Sequence, residues 1–137
     1  MAPDETVKKE FWVAEDDPDD RALLEDAFTE LHSKYQLRFF SDGQEVVYAA
    51  GSAGDHFPCL VVLDGKMPSM NGVQVIEAIK KLENGKGFDF ILLTGSLNAS
   101  DSKKAKELEI PVLSKPSSFS ALLELLTSLL LKADKNC

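Results

Sequence analysis

The sequence predicts an α/β domain in which a parallel sheet carries helices on both faces. Three observations lead there. Short apolar, β-rich runs alternate with helical patterns five times, and no segment is left over. The middle run, Cys59-Leu60-Val61-Val62-Leu63, is continuously apolar, as a central parallel strand buried on both faces must be. Charged or hydroxyl residues follow four of the five runs, which is where such sheets bind ligands.

Phe11-Trp12-Val13-Ala14 reads as the first strand. A helix follows from Asp19 to about Lys34, because Leu24, Phe28 and Leu31 recur at helical spacing. Leu37-Arg38-Phe39-Phe40 is the second strand, and the turn Ser41-Asp42-Gly43 opens a short helix from about Gln44 to Ala50. After the third strand, a loop with Pro68 and Gly72 leads into a helix whose Val75, Ile76, Ile79 and Leu82 share a face. Phe90-Ile91-Leu92-Leu93 is the fourth strand, followed by a polar helix from about Asn98 to Leu108. Pro111-Val112-Leu113 is a short fifth strand, and the last helix runs from about Ser118 to Lys132. One domain over residues 7–133 accounts for this pattern, with 134–137 as a short polar tail.

The 137 residues are 44% hydrophobic and 28% charged, which fits a globular chain and not a disordered one. A net charge of −8 argues against direct nucleic-acid binding and favours cations or basic partner surfaces. Cys137 lies in the tail, so no structural disulfide with Cys59 is expected, and two free thiols fit a reducing compartment. MAPDETVKKE has no apolar core and is no signal peptide. ALLELLTSLLL is too short to insert into a bilayer, so the expected location is cytoplasmic.

The stretch AEDDPDD holds five carboxylates just past the first strand. Part of it caps a helix: Asp17 or Asp19 suits the N-cap, Pro18 the first helical position, and acids complement the positive end of the helix dipole. Glu15 and Asp16 are left to face the cleft, where Asp64 follows the third strand, Thr94 the fourth and Lys115 the fifth. Acids meeting at one sheet edge raise one another's pKa or demand a cation. Without a metal they are expected to turn apart, to be bridged by water, or to hold a substitute cation. Oxygen ligands alone suit a hard ion, Mg²⁺ before zinc. With a hydroxyl and a lysine added, the set suits phosphoryl transfer to an Asp nucleophile. His32 and His56 have no partner at useful spacing and are read as surface or packing residues.

With these residues in place, the chain resembles the receiver domain of two-component response regulators, of the stand-alone type. The matching segments are FWVAEDDPDD, LVVLDGKMPSMNG, ILLTGS and PVLSKP, in that order. The resemblance implies a flavodoxin-like (βα)5 doubly wound sheet with strand order 2-1-3-4-5. It implies that Asp64 is the phosphoacceptor, and that Mg²⁺ is held by Glu15, Asp16, Asp64 and the backbone carbonyl of Lys66. Thr94 matches the switch hydroxyl, Lys115 the phosphoryl-contacting lysine, and Lys115-Pro116 a bond often cis in the family. The implied partners are a sensor histidine kinase or a histidine phosphotransfer protein. Output would pass to a downstream protein through the fourth and fifth helices, a face that also suits a homodimer. Self-catalysed phosphorylation and autodephosphorylation would be the only chemistry.

Three residues depart from the family pattern. Val112 stands where a switch aromatic is usual, Gly95 stands where alanine is frequent, and Lys66 brings a cation beside the site. Two alternatives are weighed against the receiver reading. A Mg²⁺-dependent phosphohydrolase would need a second acid two residues after its nucleophile, and Lys66 stands there. A degenerate receiver that binds partners without phosphate would have lost Asp64, Thr94 or Lys115, and all three are present.

Overall fold

The computed structural model describes residues 9–95 and 97–137. The first eight residues, with most of MAPDETVKKE and the expected domain start at residue 7, lie outside the described residues, as does Ser96 of ILLTGS. The elements are β1 (Glu10–Ala14), α1 (Pro18–Glu30), β2 (Gln36–Phe40), α2 (Gly43–Ser52), β3 (Leu60–Asp64), α3 (Gly72–Lys80), β4 (Phe90–Thr94), α4 (Ala99–Glu107), β5 (Val112–Ser114) and α5 (Phe119–Asn136). A single 3₁₀ turn at Gly85–Gly87 was not expected from the sequence. All strand pairs are parallel, and the order is β2-β1-β3-β4-β5.

Period-two alternation sorts the strand residues onto two faces. Trp12, Ala14, Val61, Leu63, Phe90 and Leu92 face one core with Val46 of α2 and Val73, Ile76 and Ile79 of α3. Phe11, Val13, Leu60, Val62, Ile91 and Leu93 face the other with Leu24 and Phe28 of α1 and Leu122, Leu126 and Leu129 of α5. β3 and β4 are buried at every position, which is why they read as unbroken apolar runs. β5 is a solvent-facing edge, and Val112 is 43% exposed.

Asp17 is the N-cap of α1: its side chain accepts from the backbone N–H groups of Asp19 and Asp20, and Pro18 opens the helix. The helix stops short of the expected Lys34. His32 takes a left-handed φ of 50°, and the Ser33 N–H closes on the Phe28 carbonyl. Tyr35 then turns inward against Phe11 and is buried.

Two expectations are corrected at the C-terminus. Residues 134–136, expected in a polar tail, continue α5. And Cys59 and Cys137 are not free thiols: they form a disulfide, with Cα atoms 5.7 Å apart. The reason is geometric. α5 starts at the carboxyl edge of the sheet and spans 18 residues, or roughly 27 Å at 1.5 Å per residue, so its end reaches the amino edge, where β3 begins. The Asn136 side-chain amide donates to the Cys59 carbonyl at 2.8 Å and to Asp89 at 2.9 Å, fastening the same corner. The argument from free thiols to a reducing compartment therefore falls. No helix among the described residues is long and apolar enough to cross a membrane.

The bridge closes a loop across 78 positions. Loop-closure entropy assigns such a link roughly 4 kcal/mol of stability. Reduction with dithiothreitol, or Cys137→Ser, is expected to lower the denaturant midpoint accordingly, measured by urea unfolding of the oxidised and reduced protein side by side.

Candidate functional site

Four strands, β1, β3, β4 and β5, deliver the site side chains to one edge. Glu15 follows β1, and its N–H donates to the Phe40 carbonyl at 2.9 Å, which fixes the chain one residue beyond the strand. Asp64 ends β3. Lys115 follows β5, and its N–H donates to the Thr94 carbonyl at 3.1 Å, so the lysine starts beside the end of β4.

Side chains then converge. The Lys115 ammonium lies 2.9 Å from Glu15 Oε1, 3.0 Å from Asp64 Oδ2 and 3.3 Å from Asp20 Oδ2. The Lys66 N–H donates to Asp64 Oδ1 at 3.1 Å, so both oxygens of Asp64 are engaged. Glu15, Asp16 and Asp64 each offer a carboxylate oxygen, and these lie within 4.8 Å of one another. Glu15 and Asp64 are buried, and Asp16 is exposed. Three convergent carboxylates with no sulfur or imidazole among them fit a hard divalent cation. Lys115 supplies the positive charge beside Glu15 and Asp64.

Burial pushes the Glu15 carboxyl up, and although the Lys115 hydrogen bond opposes this, neighbouring Asp64 reinforces it, to about 7. Burial works against the Lys115 ammonium, but its hydrogen bonds to Glu15 and Asp64 outweigh that and hold it above its ordinary value.

Thr94 ends β4 and is buried. Gly65 passes so close that a Cβ there would lie 2.7 Å from Thr94 Oγ1 and 2.8 Å from Leu97, so only glycine lets this loop approach the hydroxyl. Among the described residues outside its chain neighbours, none lies within 4 Å of where a Gly95 Cβ would be. Val112 does not join the cluster. It pairs with Leu92, while Ser114 is the partner of Thr94. The expected cis bond at Lys115-Pro116 is trans, as are all peptide bonds among the described residues. Trans is the ground state of X–Pro by roughly 0.5–1 kcal/mol, and the loop reaches the α5 N-cap, Ser118, without leaving it. The sequence reading placed Asp20 only in the helix cap. Asp16 precedes the helix cap, so no helical spacing ties it to Asp20, and the second contact of Asp20 follows only from the position of Lys115.

An open parallel sheet with an acidic cluster and a lysine at its carboxyl edge defines the class of doubly wound α/β domains that bind ligands at that edge. The comparisons identify the family. The model of the response regulator receiver domain matches residues 11–127. The probable chemotaxis protein CheY of Rhizobium etli is 31% identical over 105 residues, covering 76% of this chain and 78% of that protein. Response regulator RPA3017, in red light signalling of R. palustris, is 28% identical with a TM-score of 0.73, covering 88% of this chain and 90% of that one. The receiver domain of sensor histidine kinase PA1611 from Pseudomonas aeruginosa PAO1, with a magnesium ion coordinated in its active-site cleft, is 22% identical with a TM-score of 0.70, covering 90% and 98%. The chain belongs to the response regulator receiver domain family, of the CheY-like kind: a signalling domain that receives phosphoryl groups from histidine kinases, not a conventional enzyme.

Between about pH 4.5 and 7 the folded protein keeps a proton on Glu15 that the unfolded chain has released, so this group's contribution to stability falls as pH rises through that window and levels off above it. With divalent cations chelated, the unfolding free energy of wild type minus that of Glu15→Gln is expected to decline by up to about 3 kcal/mol across the window. Urea titrations at half-unit pH steps measure it; a flat difference contradicts the assignment.

Proposed function

We propose that Asp64 is the phosphoacceptor, taking a phosphoryl group from a phosphohistidine on a sensor kinase or histidine phosphotransfer protein. The observation that carries this reading is the setting of Asp64. It is a buried carboxylate at the end of β3, held by the Lys115 ammonium at 3.0 Å and the Lys66 N–H at 3.1 Å, with Glu15 and Asp16 converging beside it. An Asp64 oxygen bonds to phosphorus as the P–N bond of the donor breaks and the imidazole leaves. Lys115 meets the incoming negative charge, and the Thr94 hydroxyl donates to a phosphoryl oxygen. Glu15, Asp16, Asp64 and the Lys66 carbonyl are the groups that would hold Mg²⁺. When bound, that ion supplies charge neutralisation on the transferring group. Magnesium in the PA1611 receiver domain supports this choice of ion.

Hydrolysis of the acyl phosphate returns Asp64 to its starting state. Lys66 is exposed two residues past Asp64, and its side chain binds the phosphoryl group or steers the attacking water. The domain's own catalysis is confined to these two steps, and a cytoplasmic location follows from such a donor. Output passes through the face of α4, β5 and α5 to a downstream protein or a second copy. Supporting that face are Val112 at 43% exposure and Leu131 at 59%, while Leu123 packs partly against the core.

Intact-mass spectrometry after incubation with acetyl phosphate and Mg²⁺ tests the acceptor. One phosphoryl adduct is expected on the wild type, absent in Asp64→Asn and reduced at least tenfold in rate in Lys115→Met. A wild type that stays unmodified while folded contradicts the reading.

A further inference from the structure

The Lys115 ammonium occupies the same carboxylates that a divalent cation needs. Its carboxylate partners among the described residues are Glu15, Asp64 and Asp20. Glu15 and Asp64 belong to the acidic triad with converging oxygens, and Asp20 does not. A doubly charged ion on Glu15 and Asp64 withdraws those acceptors from the lysine and repels its ammonium. A half-buried ammonium left without a counter-charge is costly. Asp20 is the acceptor that remains.

The surroundings suit that exchange. Asp20 projects from the first turn of α1, where its backbone N–H donates to the Asp17 cap and its carboxylate already contacts Lys115. Its contact with Lys115, at 3.3 Å, is the longest of the three and has the most to gain by shortening. A cleft of about 140 Å³ opens between Asp20 and Lys115, lined by Leu23, Leu93 and Phe119, which gives the lysine room to swing toward α1 beside apolar walls. Low polarity there strengthens an ion pair relative to open water.

We infer that Asp20 is a positioning residue that takes over Lys115 when a divalent cation claims Glu15 and Asp64, keeping the ammonium in the cleft instead of in competition with the metal. The inference rests on the proposed metal site. Asp20 then sets how readily the ion enters, and it acts through the lysine.

A double-mutant cycle on Mg²⁺ affinity tests this, by calorimetric titration of the full chain as wild type, Asp20→Asn, Lys115→Met and the double variant. Thermal unfolding checks that each is folded. Asp20→Asn leaves the backbone cap intact and serves as the conservative change. Expected is a weakening of about threefold or more on Asp20→Asn when Lys115 is present, and of less than about 1.5-fold in the Lys115→Met background. Equal weakening in both backgrounds would show Asp20 acting only as distant charge and would overturn the inference. So would no change, or tighter binding, in Asp20→Asn. If neither wild type nor Lys115→Met binds Mg²⁺, the metal site itself fails and takes the inference with it; failure of the Asp20 role alone leaves the wild-type titration intact.

Discussion

A single ammonium group joins three separate strand ends. Glu15 and Asp64 bring two buried carboxylates to within 4.8 Å of each other, a repulsion of roughly 3 kcal/mol if both are ionised at the effective dielectric of a protein site. Lys115, at 2.9 and 3.0 Å from them, offsets that repulsion. The Glu15 carboxyl is nonetheless pushed up to about 7, chiefly by burial and further by Asp64, so the pocket still favours a neutralising charge on that group. That residual demand links the fold to metal chemistry. The site is kept together by a cation of its own, but not so firmly that a stronger one is excluded.

The sheet makes this arrangement obligatory. Parallel register places Ala14 beside Leu63, and Asp64 beside Leu93, so residues that follow β1 and end β3 must share an edge. Residues 100 apart in sequence meet through the terminal atoms of the Lys115 and Glu15 side chains. Two cores, one on each face, fix the strands that do this, and the disulfide fastens the opposite end of α5 to the base of β3. Glycines at 65 and 72 then let the loop after β3 close over the strand ends. A Cβ at Gly72 would meet the Asp64 carbonyl at 2.7 Å. Core, register and close backbone approach thus serve one small volume.

Much of this was legible in the sequence, for identifiable reasons. Strands buried on both faces leave unbroken apolar runs, so β3 and β4 were plain, and carboxylates directly after such runs have few structural excuses. What escaped was decided by contacts between distant residues. Asp134 to Asn136 look like a solvated tail, yet they continue α5, so the pairing of Cys137 with Cys59 was hidden. Asp20 looked fully explained as an acid in a first helical turn, and only the position of Lys115 shows its second contact. The Lys115-Pro116 bond was judged by family habit, whereas this loop closes in the trans form.

The central claim is that Lys115 and a divalent cation use the same carboxylates. Crystals grown in chelator and then soaked in Mn²⁺ test it directly, because manganese is located by its anomalous signal. The account predicts Lys115 Nζ bridging Glu15 and Asp64 in chelator. After soaking it predicts a manganese peak among Glu15, Asp16 and Asp64, with the ammonium withdrawn from Glu15. A manganese ion there with the Lys115–Glu15 bond unchanged, or a lysine that never contacts either acid, would contradict it.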